Sequence, residues 1–437
     1  MRALQAAFAL LMIALIAVAC GGDSSETSET TEESGGASET AVNLVIESWR
    51  VEDTAVWEDS IIPAFEAANP GITLSFEPTT TPEYPAALST RLEGGNAGDL
   101  ITCRPFDDAL ALYNDGHLAS INDVAGLDSF SGSALSAWQT LDGSDQFCLP
   151  MASVSHGFMY NMAIFDELGL TPPETQAEFD ALLQTIADDG SYTPIAMGAA
   201  SEDGWYPSTL LFQNFGPNYW KGEEGRLALV SGDAKFTDPE YIEVFDKMVE
   251  MSQYFPDGFE GVGYTDSQNL FALGQAAIFP AGSWEVNWAN ENTDFEVGVF
   301  RAPTESAGDT CYVDNHTDMG LGINAASPNQ EAAATALEWF AGPEFAQLFT
   351  NSLPGFFALG QHAVSLDDPI ASEYASWNLE CETTIRNTYA VLNGGEPKLI
   401  DEMWRVVPLL LIGDVDSQGA AQQLEDGLAS WYEPHAG

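Results

Sequence analysis

The sequence predicts an α/β chain folded as two domains. Strand and helix patterns alternate from residue 42 to residue 103. The part beyond residue 41 is about 400 residues, too long for one simple core. Hydrophobic content of 45% with 11% aromatics is that of a globular protein.

Residues 42–47 (VNLVIE) read as a short strand, and a loop over 48–53 carries Trp49, Arg50, Glu52 and Asp53. Val56, Trp57, Ile61, Phe65 and Ala68 fall near helical spacing, which predicts a helix over 54–68 stopped by Asn69-Pro70-Gly71. Ile72, Leu74 and Phe76 alternate as a second strand; a helix over 84–94 and a strand over 99–103 follow. This order is the signature of a layer built on a parallel sheet. Ligands gather at the loops beyond strand C-termini in such sheets, so 49–53 and 102–107 belong to one rim.

Further along, a helix is predicted over 106–115 and a short strand over 147–150. Tyr160-Asn161 opens a helix, Gly169 and Pro172-Pro173 end it, and Thr175 caps the next. Trp205 and Tyr206 begin a helix with Leu210, Leu211 and Phe215. Residues 266–279 end in the buried strand AAIF, and Gly282-Ser283-Trp284-Glu285 follows. Residues 324–340 hold a strand end and the helix QEAAATALEWF, and a helical pair broken at Gly394-Gly395 fills 372–432.

After Arg2, residues 6–19 run almost wholly apolar for about fourteen residues, where a bilayer span takes roughly 20. A secretory signal peptide over 1–19 is the expectation. The run ends Ala17-Val18-Ala19-Cys20-Gly21, which resembles a bacterial lipobox and makes Cys20 the expected lipidation site. The stretch after it has no large apolar residue to offset ordering entropy, so 20–41 reads as a lipidated cysteine followed by a flexible acidic linker.

Sixty-seven acidic residues face twelve basic ones, for a formal charge of −55. Such a field repels nucleic acid and anionic surfaces. It reads as a solubility adaptation to high salt, a halophilic trait, because salt screens the self-repulsion. Beyond Cys20, the cysteines Cys103, Cys148, Cys311 and Cys381 make an even number, as in an oxidising compartment. Three pairings are open; Cys103–Cys148 and Cys311–Cys381 close the shorter loops. None shows zinc-type spacing. There is no Gly-x-Ser-x-Gly elbow, His-Glu-x-x-His pair or phosphate loop. A secreted carbohydrate-active enzyme rests only on the abundance of carboxylates and is the weaker alternative.

Five runs in order carry a resemblance: AFEAANPGI, LEGGNAGDLITC, LPMASVSHGFMYNMAIFDELGLTPPETQAEFDALL, FALGQAAIFPAGSWEVN and LGINAASPNQEAAATALEWF. They resemble the family 1 extracellular solute-binding proteins of ABC importers, the group that includes the periplasmic maltodextrin-binding protein. The second run departs from the family, with Ala97-Gly98 where a Pro usually stands. The resemblance covers about 44–432. It implies an α/β, type II-like periplasmic-binding-protein fold of two lobes, with a hinge between them and the ligand cleft at their interface. Lobe one would take 42–153 plus 317–370, and lobe two 154–316 plus 371–434. Each short-loop disulfide then lies inside one lobe and leaves the hinge free.

The function implied is that of an extracytoplasmic lipoprotein, in the periplasm or on the outer face of the cell membrane. It would capture a sugar or oligosaccharide and deliver it to ABC permease subunits with their ATPase. The resemblance implies a monomer without cofactor or metal, held to the membrane by its N-terminal lipid. A polyol or sugar phosphate as ligand, or delivery to a sensor, is the alternative.

A sugar offers edge hydroxyls and apolar C–H faces, so its site needs aromatic platforms and planar polar groups. Trp284, just past an apolar strand, is the leading platform, with Trp205 and Tyr206 at a helix start. Trp404 matches an aromatic run of the family. On the rim, Trp49, Arg50, Asp53, Arg104 and Asp107 are the polar and aromatic candidates. His156 and His316, at the two predicted hinge crossings, complete the ligand set. A metal site from His156, His316 and Asp314 has no support in their spacing.

Overall fold

The computed structural model describes residues 41–81 and 83–436, so the predicted signal peptide, Cys20 and most of the linker lie outside the described residues. The strands are β1 (Val42–Ser48), β2 (Ile72–Pro78), β3 (Leu100–Cys103), β4 (Cys148–Asn161), β5 (Thr193–Ile195), β6 (Ala276–Gly282), β7 (Val297–Phe300), β8 (Tyr312–Ile323), β9 (Phe357–Ala358) and β10 (Glu382–Thr384). They join edge to edge in the order β2-β1-β3-β8-β4-β6-β5, with β10 on β8 and both β7 and β9 on β4. β1 runs parallel to β2 and β3, as the alternation predicts; β8 and β4 enter antiparallel. Parallel β1 and β3 send their C-terminal loops to the same side, which builds the rim.

The buried residues form two cores, giving the two lobes. One draws on residues from Leu44 to Val154 and from Met319 to Phe356; the other on residues from Phe158 to Val313 and from Ile370 to Leu428. β4 and β8 are the long strands, 14 and 12 residues, and both run from one core into the other. The disulfides Cys103–Cys148 and Cys311–Cys381 form, each within one core region, in the short-loop pairing.

Two elements differ from the sequence reading. The strand expected over 147–150 continues to Asn161. Its middle is buried almost throughout, so it lacks the alternation that marks a half-exposed strand. Gly157 interrupts the pattern too, and packing demands it: a Cβ there would lie 2.7 Å from the Trp377 ring. The C-terminal pair is three helices, Pro369–Glu380, Leu399–Leu411 and Ser417–Ala429, with β10 between the first two. The second break falls at Gly413, whose φ of +81° suits glycine.

Local signals act as read. Asn161 Oδ1 accepts from Ala163 and Ile164 N–H, and Thr175 with Glu178 forms a reciprocal capping box. The scarce cations are mostly spent on carboxylates: Arg91 on Glu47, Arg226 on Glu223, Lys247 on Asp180, Lys398 on Asp108 and Arg405 on Glu402. No helix among the described residues is long and apolar enough to cross a membrane.

Candidate binding site between the lobes

The rim comes first. Trp49 follows β1 and is buried, edge-on to Tyr84 at 5.7 Å. The Arg104 guanidinium, beyond β3, stacks 3.9 Å over the Trp49 ring and reaches Asp318 at 3.7 Å. Arg50 is held by its own loop. It clamps Asp53 through Nε and Nη2 at 2.9 and 3.0 Å and meets Glu52 at 2.7 Å, so its planar fork is consumed inside its own loop. Arg50 and Asp53 thus shape the rim, and their expected ligand contact gives way to this ion pair.

β4 and β8 supply the floor. His316 pairs across from Val154, and the rings of His156 and His316 meet edge-on at 5.2 Å. His316 Nδ1 lies 2.5 Å from Asp314 Oδ1. Arg386 Nη2 sits 3.4 Å from His156 Nε2 and Nη1 donates to Tyr389 Oη at 3.0 Å. Burial holds both imidazoles well below their usual range, which leaves them neutral. Several buried atoms here have no partner among the described residues: His156 Nδ1, His316 Nε2, Asp314 Oδ2 and Arg386 Nε.

His156, Asp314 and His316 bring donor atoms within 4.8 Å of one another, a cluster that sequence spacing did not suggest because it is assembled across two strands. A dication would share it with the Arg386 guanidinium, a repulsion that burial strengthens. The His316–Asp314 bond also occupies one of the donor nitrogens. The set is better suited to hydrogen bonding than to metal ligation.

The second lobe supplies rings. Trp284 is partly exposed and packs against both cores. Its ring folds back over Gly282, where a Cβ would lie 1.9 Å from it, and stands 5.5 Å from His156. Its Nε1 donates to Tyr264 Oη at 3.1 Å, and Tyr264 in turn donates to Glu285. Gln268 holds the other Glu285 oxygen at 2.8 Å. Trp205 lies edge-on to Tyr264 at 4.6 Å. Tyr206 is a correction: it is fully buried, with its hydroxyl on the Ala196 carbonyl at 2.8 Å, because the helix start turns it into the core beneath Tyr264. Trp404 is 38% exposed on Leu399–Leu411, and its carbonyl closes on Gly204, next to Trp205.

The structure therefore links Trp49, Arg104, His156, His316, Trp284 and Trp205 into one belt, with Trp404 at its outer edge. Asp107 is elsewhere: it lines a separate 640 Å³ cleft with Ser153, Asn315 and Thr317. Those strand residues alternate with Val154 and His316, so this cleft lies on the opposite face of β4 and β8. Sequence reasoning missed Tyr264, Glu285, Asp318, Arg386 and Tyr389. Arg386 carried the clearest signal, as one of very few cations in the chain.

Residues 49–347 match the bacterial extracellular solute-binding protein family. An uncharacterized ABC transporter extracellular-binding protein of Pyrococcus horikoshii is 25% identical over 289 residues, 65% of this chain and 66% of its own. The multiple sugar-binding protein of Streptococcus mutans is 26% identical over 292 residues, 62% of this chain and 65% of its own. The chain thus spans just under two thirds of the length of these curated relatives. Among solved structures, a chitin oligosaccharide binding protein superposes with a TM-score of 0.74 at 23% identity, over 91% of this chain and 100% of that one.

Proposed function

The chain belongs to the bacterial extracellular solute-binding protein family, and on that premise we propose that it captures a sugar or oligosaccharide outside the cytoplasm for an ABC importer. The observation that carries this reading is the belt itself. Partly exposed rings of the second lobe, Trp284, Trp205 and Tyr264, abut a buried row of hydrogen-bonding groups at the lobe junction that lack partners among the described residues. Rings cover the C–H faces of a sugar, and the neutral imidazoles with Asp314 and Arg386 meet its hydroxyls. The names of relatives point the same way: multiple sugar-binding protein and diacetylchitobiose binding protein.

The lobes close on the ligand about crossings near 153/154, 316/317 and 370/371. Closure is favoured because only the closed form lets both lobes touch the sugar. Cys20 carries the lipid, the linker tethers a monomeric body, and the permease reads the closed form. No cofactor takes part.

The test is a thermal-shift screen of the folded part in high salt against sugars, uronates, sugar phosphates and polyols. Ligand at 100 times Kd adds about 2.7 kcal/mol. A stabilising sugar that is recovered unchanged supports the reading. Silence across the sugars, or their consumption, overturns it. Membrane attachment is tested separately: Cys20→Ser should release the protein from the cell surface.

A further inference from the structure

We propose that the cleft behind β4 and β8 is a second solute site, which takes a small neutral polyhydroxylated molecule held between the lobes. Its 640 Å³ falls in the range of about 300–1,000 Å³ typical of small-molecule sites. Both lobes wall it. Asp107, Ser131 and Ser133 come from one, and Glu223, Arg226 and Thr384 from the other, with Ser153 and Thr317 on the strands between.

Asp107, Asn315 and Thr317 line this space, and each carries a buried side-chain oxygen, Asp107 Oδ2, Asn315 Oδ1 and Thr317 Oγ1, with no partner among the described residues. A buried oxygen left unmet is costly; Asn315 Oδ1 accepts, while Thr317 Oγ1 and the Asp107 carboxyl, raised to about 7, accept or donate, so the fitting occupant offers both donors and acceptors. Hydroxyl groups on a ring or short chain do so at the right size. Phe106, Leu110 and Leu359 give the lining an apolar share that suits the carbon side of such a molecule.

The charges favour a neutral occupant. Glu223 and Arg226 are bound to each other at 2.6 and 2.7 Å, so neither is free to hold an ion. Asp107 is pushed up to about 7 by burial and by Asp108 beside it, so near neutral pH it offers no fixed counter-charge. The site is distinct from the aromatic belt. It lies on the other face of the same strands, and Phe106 against Tyr389 at 5.6 Å closes the wall between them.

The experiment is calorimetric titration of the full-length chain with myo-inositol and with sorbitol. It compares the unaltered protein with Trp284→Ala, Thr317→Val and Ser133→Phe, each checked for native circular dichroism. Thr317→Val removes one oxygen at constant shape, and Ser133→Phe fills the cleft from an exposed helix position. Asn315→Ser replaces either if it fails to fold. At least one probe should bind the unaltered chain and Trp284→Ala equally, bind Thr317→Val at least fivefold more weakly, and fail to bind Ser133→Phe. Three results overturn the site: no binding of either probe, binding unchanged by the cleft variants, or binding lost with Trp284→Ala alone. The last would place the probe in the aromatic belt, so a failure here leaves the sugar reading standing.

Discussion

The two faces of the β4–β8 pair are built from alternate residues of the same two strands, yet they differ in chemistry. On one face His156, Asp314 and His316 are buried among Trp284, Arg386 and Tyr389. On the other, Ser153, Asn315 and Thr317 line the cleft. A strand that passes between two lobes is thus free to show each side a different environment, because its side chains part every second residue. Large rings fill the first face and link the lobes by contact. Small hydroxyl and amide groups on the second leave the lobes linked by little besides their edges.

The largest expected effect breaks the comparison at the ring side. Trp284→Ala should weaken sugar binding tenfold or more, about 1.4 kcal/mol, while the protein stays folded. Titration with the sugar found by screening checks it. An affinity within twofold would remove Trp284 from the site.

The next tests the faces by pH, where they carry opposite signs. The folded chain keeps His156 and His316 neutral, whereas the unfolded chain protonates them near 6.5, so their effect is lost stability as pH falls below that value. Asp107 does the reverse. It holds its proton up to about 7 when folded and releases it near 3.8 when unfolded, so its effect is lost stability as pH rises between those values. Asp314 and Glu285, raised by burial, oppose the histidines on their own face, so variants must separate the groups. Asp107→Asn should raise the melting temperature at pH 8 and leave it unchanged at pH 4. His156→Gln should flatten the loss below pH 6. For Asp107→Asn the effect is on the order of 1 kcal/mol after solvent screening, and for His156→Gln the direction is the readout. Identical melting curves for Asp107→Asn and the unaltered chain at pH 8 would contradict the assignment.

The smallest effect concerns the edge of the open face. Lys398 and Asp108 meet at 3.0 Å beside that cleft, and both side chains are partly exposed. Lys398→Ala should change stability by less than about 1 kcal/mol, and the difference should vanish in high salt. A larger, salt-insensitive loss would mean that charge, rather than shape, holds this edge.

The rim was legible because β1 and β3 each read as a strand followed by a polar loop, and parallel pairing carries both loops to one side. The rim positions of Trp49 and Arg104 were therefore findable. The junction was less so. β4 reads as four residues because its continuation is buried on both faces and passes a glycine. Tyr206 reads as a platform from its place at a helix start, but the direction a helix turns its first side chains depends on its packing partners. Arg50 and Asp53 were correctly placed on the rim; that they would consume each other is a matter of rotamer and distance. Arg386, Tyr389 and Tyr264 reach the site from distant segments and carry no local pattern that would gather them.

The pairing of most cations with nearby carboxylates has a practical consequence. A formal charge of −55 leaves a large excess of acidic groups with no cation to meet. Their mutual repulsion reaches only about 3 Å at 1 M salt but about 30 Å at 0.01 M. Desalting this protein should therefore lower its stability at constant temperature and pH, which melting curves taken across salt concentrations would read.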